Sequence, residues 1–353
     1  MTDLALERSV PAQRATANWI VSPAFDLFLL ILVPLLTVPI VAGYYLGYRT
    51  LAVAAVITLS FAHYCSSFVF YFWDENKAYH RQRWLAFFAG PLILAAIYSS
   101  LLLVPAGALV LASALFFWNT FHVARQNCGI LSIYRHRAGV TDIEQKRVAN
   151  RAIIAASLFL SLWNIDTHRE VAALFGLAPL DWARLLRIGA GVVAAIAIVD
   201  LARVVWKRSV HSESPRAPEA LFLLASVGFF FPFLIFRTSE MATLAMLLPH
   251  YVQYMAIVWL VHRRKFGGGT SGAGAALRKL SGSLVWLLPA LLITGVSFYL
   301  VLELMTRVGR QSLALTLFVL IAFEHFYLDG LIWSFKQAHV RRTIAPALLS
   351  PRP

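Results

Sequence analysis

Residues 240–262 read EMATLAMLLPHYVQYMAIVWLVH. A run this long and this apolar spans a hydrocarbon core of about 30 Å when it is helical. Its interior nevertheless carries His250, Gln253 and Tyr254. A buried imidazole in a bilayer is costly, so an ionisable group at that depth is a functional hypothesis by default. Comparable runs recur along almost the whole chain, and three more of them hold a single deep histidine: His63 in LSFAHYCSS, His122 in WNTFHVARQ and His325 in AFEHFYLDG.

The composition agrees with this reading. The chain has 353 residues, of which 59% are hydrophobic and only 14% charged, and its mean hydropathy is +0.70. A soluble domain carries about a quarter charged residues. The apolar runs are continuous and lack the alternation of a barrel strand. The expected fold is therefore all-α, a polytopic membrane helical bundle of about ten transmembrane helices. The expected spans are 24–46, 50–73, 84–104, 107–135, 148–165, 183–203, 219–237, 240–262, 281–303 and 311–336. This leaves an N-terminal segment 1–23, a single transmembrane domain 24–336 and a tail 337–353. No cleavable signal peptide is expected from the polar opening residues. Cys65 and Cys128 fall inside spans and read as buried thiols.

The formal charge of +14 follows the span flanks. Most Lys and Arg lie on one side, including Lys77, Arg81 and Arg83, then Arg135, Arg137, Lys146 and Arg147, and later Arg263, Arg264 and Lys265. The positive-inside rule makes that side cytoplasmic and places both termini there, as an even span count requires. The expected location is the inner membrane of a bacterium. Charge arranged this way is a topology signal with contacts to membrane lipids, and nucleic acid is not an expected partner. The Gly267–Ala275 stretch GGGTSGAGA lacks a phosphate-binding ending and reads as a linker. A short interfacial helix is expected near 170–175, and His168 is expected to be solvated.

In this topology the second, fourth, eighth and tenth spans run in one direction, and each carries one deep histidine. At 1.5 Å per residue all four lie about 15–20 Å from the cytoplasmic helix ends. Their neighbours are polar. Asn119, His122 and Gln126 share one helix face, as do His250, Gln253 and Tyr254 and, at i and i+4, His325 and Asp329. Ser60 and Ser67 line the His63 face, and Glu324 lies beside His325. Pro249 is placed to kink its helix. Imidazole suits iron, copper and zinc. The reading is one metal held by His63, His122, His250 and His325, most simply iron, with copper or zinc as alternatives. Too few carboxylates are present for a two-metal site. Glu324 and Asp329 would orient ligands or relay protons, and Gln126, Gln253 and Tyr254 would position substrate or oxygen. Asn119 joins them on the same face, and Arg125 is expected to be neutralised by Glu324 or Asp329. Asp26 is expected to cap the first span.

A second tier, His80, His136, His262 and His339, follows the cytoplasmic ends of the same spans. The 122/136 and 325/339 spacings resemble a two-haem b-type arrangement, so haem ligation or quinone electron transfer is the alternative reading. A proton-coupled transporter is a third; inverted repeats would be expected for it, and the sequence shows none.

The layout of single histidines on separate spans, with His-Tyr, Gln and Glu-His-…-Asp neighbours, resembles the Brp/Blh family of membrane carotenoid-cleaving oxygenases. The resemblance covers spans two, four, eight and ten. The Pro-His-Gly-…-Asp motif of that family is absent, as are the clustered histidine boxes of membrane desaturases. The resemblance implies an oxygenase in which histidine-bound iron activates dioxygen toward a lipophilic substrate entering from the bilayer.

Overall fold

A computed structural model describes residues 18–104, 107–140, 142–163, 179–210, 217–236, 238–266 and 283–349. Among them there is no strand. The α-helices in chain order are α1 Pro23–Asp26, α2 Thr37–Tyr45, α3 Arg49–Phe68, α4 Asp74–Gln82, α5 Gly90–Leu101, α6 Gly107–Arg137, α7 Ile143–Leu162 and α8 Pro179–Val210. They continue with α9 Ala217–Gly228, α10 Pro232–Ile235, α11 Ser239–Phe266, α12 Leu284–Arg307, α13 Gln311–Ile332, α14 Ala338–Thr343 and α15 Ala345–Leu349. The expected linker at 267–275, the interfacial helix near 170–175 and His168 lie outside the described residues.

Seven helices are long and apolar enough to cross a membrane, or up to nine if each of two bent pairs is one span. The chain is that of an integral membrane protein. The expected count of about ten differs for identifiable reasons. The first span is broken, Pro23–Ile31 and Val33–Tyr45 meeting at 49°; Pro34, at the start of the second segment, has no N–H to carry the ladder across the break. The third span is the apolar arm of a sharper bend, Leu85–Leu101 meeting Glu75–Gln82 at 85°. The fifth, α7, opens on the polar sequence IEQKRVANR, which lowers its hydropathy even though its length suffices.

The centre of the bundle is α11. It packs against α3, α6, α2 and the docked helix α15, and it stays helical through Pro249. By contrast α8 and α12 are largely exposed in their apolar stretches, as helices facing lipid should be. The helix pair α3 and α12 packs most closely at Gly295, where a β-carbon would sit 2.1 Å from the Thr58 carbonyl oxygen. Gly295→Ala should therefore push α12 off α3 at a cost of about 1–3 kcal/mol, read as a lower unfolding temperature in detergent. Wild-type stability in that variant would show that the two backbones do not meet there.

Both ends of the described chain are tied down. Asp26 is fully buried and does not cap α1. That cap is Ser22, whose Oγ accepts from the Phe25 N–H at 3.1 Å. Asp26 instead accepts from the N–H groups of Ile20 (2.5 Å) and Val21 (3.0 Å) and from the Tyr134 hydroxyl (3.1 Å). This correction has a simple cause: Asp26 sits one turn too far into the helix to reach its free N–H groups, and the preceding strap folds back onto it. Residues 338–349 form two helices whose Val340, Ile344 and Leu348 are buried. Arg264 donates to the Ala347 carbonyl at 2.8 Å, and Arg137 to that of Leu348 at 3.2 Å. Cys65 and Cys128 are free thiols, the first partly and the second fully buried.

Candidate metal centre

Four helices, α3, α6, α11 and α13, bring His63, His122, His250 and His325 to one place. The imidazole centroids form a closed circuit: His63 to His325 4.3 Å, His325 to His122 5.5 Å, His122 to His250 5.1 Å and His250 to His63 4.9 Å. His63, His122 and His325 offer ring nitrogens that all lie within 4.8 Å of one another; His250 completes the circuit by ring contact. His63, His250 and His325 are buried.

The hydrogen bonding around these rings is incomplete. Both nitrogens of His63, Nε2 of His122, Nδ1 of His250 and Nε2 of His325 are buried without a hydrogen-bond partner. Each such atom costs about 1–3 kcal/mol if nothing occupies its lone pair or proton. Five fall on one cluster, and an ordered water or an ion is among the standard explanations. The donor set fits an ion. Around a tetrahedral ion with metal–ligand bonds of about 2.05 Å, neighbouring ligand atoms lie about 3.3 Å apart. Asp329 Oδ2 lies 3.5 Å from His325 Nε2 and 3.7 Å from His122 Nε2. These separations are too long for hydrogen bonds and close to those of two ligands sharing an ion.

The second oxygen of Asp329 anchors a network that orients His325. The Trp333 indole donates to the Tyr254 hydroxyl at 2.9 Å, and Tyr254 donates to Asp329 Oδ1 at 2.6 Å. Ser67 Oγ lies 2.8 Å from Tyr254, 3.2 Å from Asp329 Oδ1 and 3.1 Å from His325 Nδ1. Tyr254 has spent its proton on Asp329, and the single serine proton goes to Asp329 Oδ1 or to the Tyr254 oxygen. The bond from Ser67 to His325 must then use a proton on Nδ1. That tautomer leaves the Nε2 lone pair facing the cluster, the arrangement in which an outer partner sets a ligand's orientation. Ser67→Ala should accordingly weaken metal binding by about 10–100-fold with the fold retained. Ser67→Thr should restore most of it, and equal affinity in all three proteins would remove the serine from this role.

The other expected site residues divide. Gln126 donates to Gln253 at 3.0 Å, and Gln253 donates to the Leu30 carbonyl at 3.0 Å, so both amides tie helices together beside the rings. Asn119 is buried one turn before His122. Glu324 turns away from the cluster. Its electrostatic neighbours are Tyr71, Tyr98 and Tyr327, and neither carboxylate oxygen has a hydrogen-bond partner. Arg125 is exposed and forms no ion pair with Glu324 or Asp329 among the described residues. Four neighbours are not among the expected site residues: Tyr64, with its ring 4.9 Å from His325, Tyr251, 4.9 Å from His63, Phe326, 4.9 Å from His122, and Trp333. The signal for Trp333 was present, since it follows His325 and Asp329 at i+8 and i+4 on one face.

Every imidazole of the cluster packs against two others. The second-tier histidines are dispersed. His136 is exposed. The helical spacing from His325 to His339 is lost because α13 ends at Ile332. His339 bonds Asn76 at 2.7 Å and stacks on Tyr79 at 3.9 Å, while His262 sits among Phe70, Trp73 and Phe266. Compared with known proteins, the chain matches no family model, no curated protein and no solved structure.

Proposed function

We propose that the four-helix cluster is a single non-haem metal centre of a membrane oxygenase acting on a lipophilic substrate. The observation that carries this reading is the set of buried imidazole nitrogens without partners, facing one another and one carboxylate. His63, His122 and His325 would hold the ion, with His250 and Asp329 within reach. Iron is the first choice for such a donor set, copper or zinc the next. Iron or copper bound there would supply the one-electron chemistry through which dioxygen reacts with an organic molecule.

The chain's own residues do the rest. Tyr64, Tyr251 and Tyr254 pack against the imidazoles and exclude water. The Tyr254–Asp329 bond holds a proton at the edge of the site. The His122 side chain is 12% exposed, whereas that of His325 is 0%, so the site reaches the surface at His122. Phe326 covers His122 at 4.9 Å, and the exposed Trp118 and Phe121 flank that spot. An apolar molecule in the bilayer meets an apolar rim there, which supports a lipophilic substrate.

For topology we take ten spans, counting both bent pairs and α7. An even number puts both termini on one side, and the Lys/Arg bias makes that side the cytoplasm of a bacterial inner membrane. The direct test is metal analysis of protein purified in detergent. About one iron or copper per chain is expected; zinc alone would keep the metal centre but remove the oxygenase reading, since zinc has no redox chemistry, and none of the three would end the proposal.

A further inference from the structure

A cleft lies beside the 85° bend, away from the four histidines. Between α4 and the start of α14 is an open cleft of about 550 Å³, with Glu75, Tyr79 and Arg83 on one wall and Gln337, His339 and Arg342 on the other. Two of its acceptors are engaged. The Glu75 carboxylate is ion-paired with Lys265. The side-chain oxygen of Gln337 accepts from both Tyr79 and Arg83. His339 donates from Nε2 to Asn76 Oδ1, because the Asn76 amide is itself donating to the Phe70 carbonyl at 2.8 Å. Burial, with Arg342 and Lys265 nearby, holds the His339 imidazole below its ordinary range. The donors left over on its walls are the Arg342 guanidinium, the outer N–H groups of Arg83 and the Gln337 amide. Converging N–H groups of this kind recognise phosphate oxygens.

The cleft also has an apolar neighbour. Directly after Arg83 come Trp84, Leu85 and Phe88, which are 56%, 63% and 50% exposed. The 85° bend at this point turns the polar α4 across the axis of the apolar α5, as for a helix lying along the membrane surface. A donor-lined cleft beside an exposed aromatic and aliphatic shelf matches an amphiphile with an anionic head. We propose that the cleft between α4 and α14 binds the phosphate of such a molecule, an anionic phospholipid first. This inference stands apart from the metal centre.

The test is a binding titration, read by native mass spectrometry, on the full chain in detergent. The probes are phosphatidylglycerol, phosphatidylcholine of the same chain length and glycerol 3-phosphate. Phosphatidylglycerol should bind saturably and about tenfold more tightly than phosphatidylcholine. Arg342→Ala should lose about tenfold, while Arg342→Lys recovers part of it. Arg307→Ala, whose exposed partner is Glu303 on α12, should bind like wild type. Since Arg342 is exposed, these variants should keep both fold and metal content. Displacement by glycerol 3-phosphate at similar concentration would keep the phosphate site and assign it to a soluble phosphoester. Equal binding of the two lipids with no binding of glycerol 3-phosphate, or wild-type binding of every probe by Arg342→Ala, would overturn the proposal.

Discussion

His63→Leu should abolish metal binding and, at the same time, make the metal-free protein harder to unfold. Both ring nitrogens of His63 are buried without a partner, so the imidazole is a liability in the empty site. Leucine fills a similar volume without polar atoms. The relief of unsatisfied groups, about 1–3 kcal/mol each, exceeds the loss of edge-on ring contacts worth about 0.5–1.5 kcal/mol. A net gain of about 1–2 kcal/mol is expected for the apo form. The metal-loaded wild type should be more stable than either apo protein, because an ion that binds only the folded state adds its binding free energy. Metal per chain and unfolding temperature, measured on loaded and chelator-stripped samples, decide the matter. A destabilised variant with unchanged metal content would make His63 an ordinary packing residue.

The second large effect concerns Arg135. Its Nε donates to Glu219 Oε1 at 2.8 Å, with the two side chains only 6% and 8% exposed. The same guanidinium donates to the Gln145 carbonyl at 2.9 Å, so one residue joins α6, α9 and the first turn of α7. Glu219→Leu should strand a buried cation and cost about 3–5 kcal/mol. Adding Arg135→Met should recover most of that loss, because removing both charges removes the desolvation cost with the attraction. Detergent unfolding of both single variants and the double variant provides the cycle. A single-variant loss below about 1 kcal/mol would mean that water reaches the pair.

The sequence was most legible along the helix axis. Counting residues from the span ends placed four histidines at one depth, and their helices do bring the rings together. Position around the axis was less legible, because it depends on which helix packs where. Asp329 follows His325 at i+4 and shares its face; Glu324 precedes it by one residue, about 100° away, and faces the tyrosines of another seam. Arg125, at i+3 from His122, falls over the edge onto the exposed surface. The 325/339 spacing is lost for a related reason: a fourteen-residue interval has meaning only in an unbroken helix, and α13 ends between His325 and His339, whereas His122 and His136 share α6. Gly295 could not be read as a contact point, since its meaning lies in a distant carbonyl on α3. The network of Ser67, Tyr254 and Trp333 is likewise assembled from three separated segments.

The order in which the histidines occur along the chain bears on when the site can exist during synthesis. His63 and His122 enter the membrane early, His250 later, and His325 comes with α13, whose insertion also brings Asp329 and its carboxylate. Until α13 is in place, His63 faces a half-built seam that lacks the fourth imidazole and the carboxylate of Asp329. On the proposed metal-centre reading, full loading follows insertion of α13, and a nascent chain paused before α13 should bind metal more weakly than the full-length protein.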